Sequence, residues 1–164
     1  MPDDARSLVE ALAARGMTLA VAESLTGGML AARIVDVPGA SAVFVGGVVA
    51  YATKLKHDLL GVDATLLVER GPVDAEVARR LAEGVRRACA VDGREADLGV
   101  ATTGVAGPDP QGGMPPGTVF VGVATDAGSR AVELALTGDR AAIRTATVDA
   151  AIAEAVAEVR NRRR

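Results

Sequence analysis

The sequence has almost no aromatic side chains: no Trp, one Tyr and two Phe in 164 residues. A protein that holds single-stranded nucleic acid stacks bases on aromatic platforms, and this chain has almost none to offer. It also lacks an excess of positive charge. Lys and Arg number 18 against 21 Asp and Glu, a net charge of −3, which leaves no global electrostatic footprint for nucleic acid. The single Cys excludes a disulfide framework within the chain. One Cys and one His together cannot make an ordinary zinc site of Cys and His ligands. Long apolar runs are missing too. The longest uncharged stretch, 37–53, contains Pro38, Gly39, Gly46 and Gly47 and is short for a membrane-spanning helix. Residues 1–15 are acidic and then amphipathic, without the basic start and apolar centre of a signal peptide. The expectation is a cytoplasmic protein with neither a membrane nor a nucleic acid as partner, and with no metal or cofactor.

What is present is ordinary globular material, 49% hydrophobic and 24% charged. The length suits one domain with a core of its own, so residues 1–164 read as a single domain without repeats or linkers. Helical spacing predicts a helix over 4–15, ended by Gly16. Strands are predicted over 18–22 and 41–51, with a helix over 26–36 between them that stops before Pro38. Thr53 is placed to cap a short helix reaching Leu60, and 64–69 reads as a further helical turn. Asp74 caps a helix to about residue 90. A strand over 97–102 leads into a Gly- and Pro-rich loop, 104–117. Segments 118–125 and 130–136 read as a hairpin. Asp139 caps a final helix, and the tail 160–164, with four arginines, reads as frayed. Strands alternate with helices until the hairpin breaks the pattern. That predicts an α/β fold, a three-layer α/β/α sandwich with a mixed sheet of about five strands.

Ligands of open α/β sheets gather at the carboxyl ends of strands. The first such loop is 22–28, Ala-Glu-Ser-Leu-Thr-Gly-Gly. Ser24 there reads either as a helix N-cap or as a nucleophile at the positive end of a helix, with main-chain N–H groups nearby for an oxyanion. Thr26, Gly27 and Gly28 complete the turn, and the two glycines allow a substrate to approach the backbone. A Ser nucleophile needs a base. His57, the only His, sits beside Lys56 in an amphipathic segment and reads as a surface residue. A Lys is the alternative, and the second loop supplies Lys54 and Lys56 just after Tyr51. The helix dipole and burial both lower a Lys pKa. Spacing does not choose between the two lysines. Tyr51, the only Tyr, reads as core filler or as a phenol that orients the base.

The third loop, with Thr103, Gly104 and Gly107, has glycines suited to exposed amides that bind an anion or a carbonyl. Arg140 and Arg144 stand four apart at the start of the last helix. Arg beside a helix N-terminus makes a good phosphate site, unless Asp139 neutralises it.

Five segments in this order resemble the CinA C-terminal domain family: A-E-S-L-T-G-G (22–28), G-G-V-V-A-Y-A-T-K-L-K-H-D-L-L-G-V (46–62), T-G-V-A-G-P (103–108), P-G-T-V (116–119) and G-D-R-x-x-I-R (138–144). The resemblance runs from about residue 4 to residue 159. Members are nicotinamide-nucleotide amidases, which hydrolyse the carboxamide of nicotinamide mononucleotide to nicotinate mononucleotide and ammonia. It implies a three-layer fold with a mixed sheet, Ser24 as nucleophile, Lys56 rather than Lys54 as base, and Tyr51 as the tyrosine of the family's Y-S-N-x-x-K pattern. It also implies Thr103 and its glycines as pocket lining and Arg140 and Arg144 as the family's arginines. The chain departs from the pattern in two places. Ala52-Thr53 replaces the Ser-Asn after the tyrosine, and Met114 stands in a loop that normally carries a Lys. A phosphorylated-nucleotide-binding module without catalysis is the competing expectation. The Val- and Ala-rich strands and the resemblance together imply a homodimer.

Overall fold

The computed structural model describes residues 3–162. Helix α1 (Asp3–Arg15) leads into strand β1 (Leu19–Glu23), helix α2 (Met29–Val35) and strand β2 (Phe44–Val49). Two short helices follow, α3 (Thr53–Asp58) and α4 (Ala64–Arg70), then the longer α5 (Ala75–Ala88). Strand β3 (Leu98–Gly104), the hairpin β4 (Thr118–Thr125) and β5 (Gly128–Ala135), and helix α6 (Arg140–Asn161) complete the chain. The five strands lie in the order β2-β1-β3-β4-β5. β1 pairs parallel with β2 and β3, whereas β3–β4 and β4–β5 are antiparallel. The expected mixed five-stranded sheet is present.

The two faces of the sheet differ in side-chain size. Successive side chains of a strand point to opposite faces. Leu19, Val21, Leu98, Val100, Val121 and Val123 point to one face and pack under α1, α2 and α6. Ala20, Ala22, Ala101 and Ala124 point to the other, toward Val77, Leu81 and Val85 of α5. The small face lets α5 lie against the backbone of the sheet. A Cβ on Gly99 would stand 2.1 Å from the carbonyl oxygen of Ala82, and one on Gly122 would stand 2.0 Å from that of Ala78.

Several boundaries differ from expectation. α2 begins at Met29, not Thr26, because residues 24–28 form a turn. β2 begins at Phe44, after a 3-10 turn over Ala40–Ala42. Thr53 does not cap α3: Ala52 is the N-cap, without a side-chain bond, and Thr53 is the first helical residue. Asp74 and Asp139 do cap α5 and α6, accepting from Glu76 and Val77 and from Ala142. α6 continues through Arg160 to Asn161 rather than fraying at residue 160. The carbonyl of Arg162 accepts from Arg15 at 2.6 Å, and its guanidinium pairs with Asp126. Residues 163 and 164 lie outside the described residues.

Among the described residues, no helix is long and apolar enough to cross a membrane. The carboxyl ends of β1 and β3 lie side by side. The loops that leave them meet the segment after β2 and the first turn of α6, as the contacts of Ser24 and Arg140 show.

Candidate active site

Ser24 immediately follows β1. Its N–H donates to the carbonyl of Thr102 on β3 at 3.1 Å. The turn beyond it is tied down from three sides. Gly27 donates its N–H to the Ser24 carbonyl at 3.1 Å. The hydroxyls of Thr26 and Thr102 share a hydrogen bond of 2.8 Å. Arg144 donates from Nε to the Leu25 carbonyl at 2.8 Å and from Nη2 to the Thr26 carbonyl at 3.2 Å. Gly27 has φ +58°, the left-handed region that glycine enters without a Cβ clash.

Lys54 and Lys56 are two residues apart on α3 and so point about 200° from each other around the helix. Lys54 is exposed and pairs with Asp58 one turn on. Lys56 turns inward and is 1% exposed. Its Nζ donates to Ser24 Oγ at 3.0 Å and to the Ala50 carbonyl at 2.6 Å. Burial pushes its pKa down from the ordinary 10.5 to about 8, because the charged form has lost water. His57 lies outside this arrangement: its Nδ1–H donates to the carbonyl of Val62 at 2.7 Å.

Ser24, Lys56, Tyr51, Thr103, Gly104, Gly107 and Arg140 line one cleft of about 140 Å³. Asp109 and Gln111 from the long loop line it as well. The hydroxyl of Thr103 donates to the Pro72 carbonyl at 2.6 Å, which draws the segment before α5 into the wall. Arg140 bridges two segments: it donates to the Gly107 carbonyl at 2.7 Å and to the Tyr51 hydroxyl at 3.3 Å. Tyr51 is 62% exposed, so it is not core filler. Thr26, Gly27, Gly28 and Arg144 are not in the cleft wall; they build and brace the turn that presents Ser24.

One expectation about this turn is corrected. Ser24 does not stand at the open end of a helix. α2 starts at Met29, whose N–H donates to the Thr26 carbonyl at 3.0 Å, and the next two donors go to the Glu23 carboxylate, Leu30 N–H at 2.8 Å and Ala31 N–H at 3.1 Å. Glu23 and Thr102 are therefore structural members of the site that the motif reading passed over. Glu23 did leave a signal, since it is the only charged residue between Arg15 and Arg33. A charge isolated in an apolar segment is buried only with partners. Thr102 left none, because a Thr on a buried strand resembles any other.

The departures from the family pattern are also placed. Ala52 and Thr53 are exposed at the start of α3. Met114 bridges to Gln111 through main-chain hydrogen bonds and packs against the cluster of Val73, Ala78, Val105 and Phe120. Among the described residues, no cluster of three or more His, Cys, Asp or Glu is placed to hold a metal ion.

The family model of the CinA C-terminal domain matches residues 3–159. A CinA-like protein of Frankia casuarinae is 50% identical over 141 residues, covering 86% of this chain and 31% of the relative. The chain spans about a third of the length of the curated relatives it matches. The crystal structure of a CinA superfamily protein from Klebsiella pneumoniae superposes with a TM-score of 0.92 at 28% identity, covering 98% of both chains. That of the competence/damage inducible protein from Agrobacterium tumefaciens gives 0.88 at 31% identity, covering 95% of this chain and 93% of the other. The chain belongs to the CinA C-terminal domain family.

Proposed function

We propose that the protein is a Ser–Lys amidohydrolase that converts nicotinamide mononucleotide to nicotinate mononucleotide and ammonia. The observation that carries the chemistry is the 3.0 Å contact between Lys56 Nζ and Ser24 Oγ in a buried setting. With a pKa of about 8, roughly a tenth of Lys56 is neutral at pH 7, enough for a general base. Neutral Lys56 takes the proton of Ser24, whose Oγ attacks the carboxamide carbon. The Leu25 N–H faces no protein acceptor among the described residues and is the donor assigned to the oxyanion. Lys56 returns the proton to the leaving nitrogen, ammonia departs and an ester of Ser24 remains. Water, deprotonated by Lys56, then attacks the ester carbon; the bond to Ser24 Oγ breaks, Lys56 returns that proton to Oγ, and the acid leaves. These steps draw only on side chains, main chain and water.

The substrate reading rests on family membership together with the charge layout of the cleft. Arg140 lies at the exposed end, beside Tyr51, and is assigned to the 5′-phosphate. Arg144 spends its guanidinium on the Ser24 turn. A homodimer belongs to the same proposal: β2 is an edge strand without a charged side chain, and such an edge accepts a second strand.

The test is ammonia release from nicotinamide mononucleotide by the purified protein, with Ser24→Ala and free nicotinamide as controls. Release from the mononucleotide alone, abolished in the variant, is the expected result. Binding of the mononucleotide without release would leave a nucleotide-binding module, with Ala52 and Met114 as the first positions to restore.

A further inference from the structure

Glu23 is the buried carboxylate next to the nucleophile, and the proposed reaction does not use it. Its side chain is 2% exposed. Burying a carboxylate costs several kcal/mol unless hydrogen bonds replace its water. Here two main-chain donors do so, Leu30 N–H at 2.8 Å and Ala31 N–H at 3.1 Å. These lie seven and eight residues downstream, across the whole Ser24 turn. Ordinary N-caps reach two or three residues, as Asp63, Asp74 and Asp139 do in this chain. The main chain of Glu23 is fixed as well, because its carbonyl accepts from Ala50 N–H at 2.9 Å. That same Ala50 offers its carbonyl to Lys56. Glu23 thus links three things: the end of β1, the start of α2 and the residue that holds the base.

We infer that Glu23 is a positioning residue, a clasp that closes the loop from β1 to α2 and so holds Ser24 Oγ at hydrogen-bonding distance from Lys56. It touches neither substrate nor the reacting atoms. The inference rests on the Ser24–Lys56 reading. The clasp explains how a five-residue turn with two glycines can hold a nucleophile in place. Misplacing a reacting group by about 1 Å costs on the order of 100-fold in rate.

The test is Glu23→Gln, which has the same shape but one acceptor oxygen where two donors converge. Two readouts are taken on protein with native circular dichroism: ammonia release from nicotinamide mononucleotide, and the rate at which a small phosphonofluoridate labels Ser24. The expected result is a fall in kcat of at least tenfold, KM within about twofold of wild type, and labelling slowed in parallel. Glu23→Met, with no acceptor, falls further. A residue that only supports the fold would change the amount of native protein and leave both rates per native molecule unchanged. Wild-type kcat and labelling in folded Glu23→Gln would overturn the inference. Should that variant not fold, Glu23→Met takes its place, and failure of both to fold assigns Glu23 to the fold and overturns the clasp. If the wild type labels at Ser24 but releases no ammonia, the substrate reading has failed, and the labelling rates still decide the role of Glu23.

Discussion

The two faces of α3 carry the same side chain in opposite conditions. On the outer face, Lys54 has 81% of its side chain exposed and pairs with Asp58. On the inner face, Lys56 is sealed between Ser24 and the Ala50 carbonyl. Both are lysines in a six-residue helix, so neither residue type nor helix position separates them. Burial does. The exposed ion pair contributes little, while loss of water makes the inner amine release its proton more easily. Solvent exclusion, not a neighbouring charge, is the cause of the low pKa of Lys56.

Deleting each amine in turn separates the two faces. Lys56→Met is expected to lower kcat by about 1,000-fold or more, since the proposed base and nucleophile act as a unit. Lys54→Met should stay within about twofold of wild type. Comparable losses in both would place the base elsewhere. The pH profile makes the same point without mutation. In the proposed mechanism neutral Lys56 is the active form, so kcat/KM should rise about tenfold per pH unit toward pH 8 and level off above it. A profile flat from pH 6 to 9 would contradict a base with this pKa.

The arginines of α6 offer a second contrast of the same kind. Arg140 reaches the cleft mouth, bonded to Gly107 and Tyr51, whereas Arg144 grips the carbonyls of Leu25 and Thr26. Arg140→Ala is expected to raise KM for the mononucleotide by about 10- to 100-fold with kcat little changed, as loss of a charge-assisted phosphate contact should. Arg144→Ala should lower kcat instead, by about tenfold, because it frees the turn that carries Ser24. Steady-state kinetics on both variants separates the roles, and a kcat effect at Arg140 or a pure KM effect at Arg144 would reverse them.

How much of this was legible in the sequence depends on the range of the interactions. The sheet was legible because each strand announces itself through short apolar runs between helical periods. The Leu and Val positions of β1 alternate with Ala20 and Ala22, which fixes the two faces. The start of α2 was misread because capping rules are local, and they favour Ser24 or Thr26. The N-cap is Gly28, and the side chain that accepts from the first turn is that of Glu23, seven residues before Leu30. The choice between Lys54 and Lys56 could not be made from spacing. A two-residue step says that they face apart, but which face turns inward is set by how α3 seats against Ala50 and Ser24. Likewise, a four-residue step puts Arg140 and Arg144 on one face of α6, yet their long side chains reach different loops. Motif order identified the family and, by resemblance, favoured Lys56 over Lys54; that Arg140 reaches the cleft while Arg144 braces the turn emerged only from the fold.

The smallest expected effects are on stability, and they have opposite signs on the two faces of α3. The fall of the Lys56 pKa from 10.5 to about 8 corresponds to about 3 kcal/mol spent on keeping it charged in the folded state. Below pH 8 the amine is protonated in both folded and unfolded chains, so this cost is fully present. Between about pH 8 and 10.5 the folded protein has released the proton and the unfolded chain still holds it. Stability therefore rises with pH across that window, and above it the cost is gone. Lys56→Met removes the charge but leaves the Ala50 carbonyl without its donor, a loss of about 1 kcal/mol or more. The Lys56→Met variant is thus expected to be more stable than wild type by about 1–2 kcal/mol at pH 7, with the advantage shrinking as pH climbs past 8. Lys54→Met removes only an exposed pair four residues apart and should cost a few tenths of a kcal/mol, less at high salt. Urea unfolding of the three proteins at pH 7 and pH 10 reads both signs. A Lys56→Met variant less stable than wild type at pH 7 would mean that the buried amine supports the fold, and that its low pKa is not the price of catalysis.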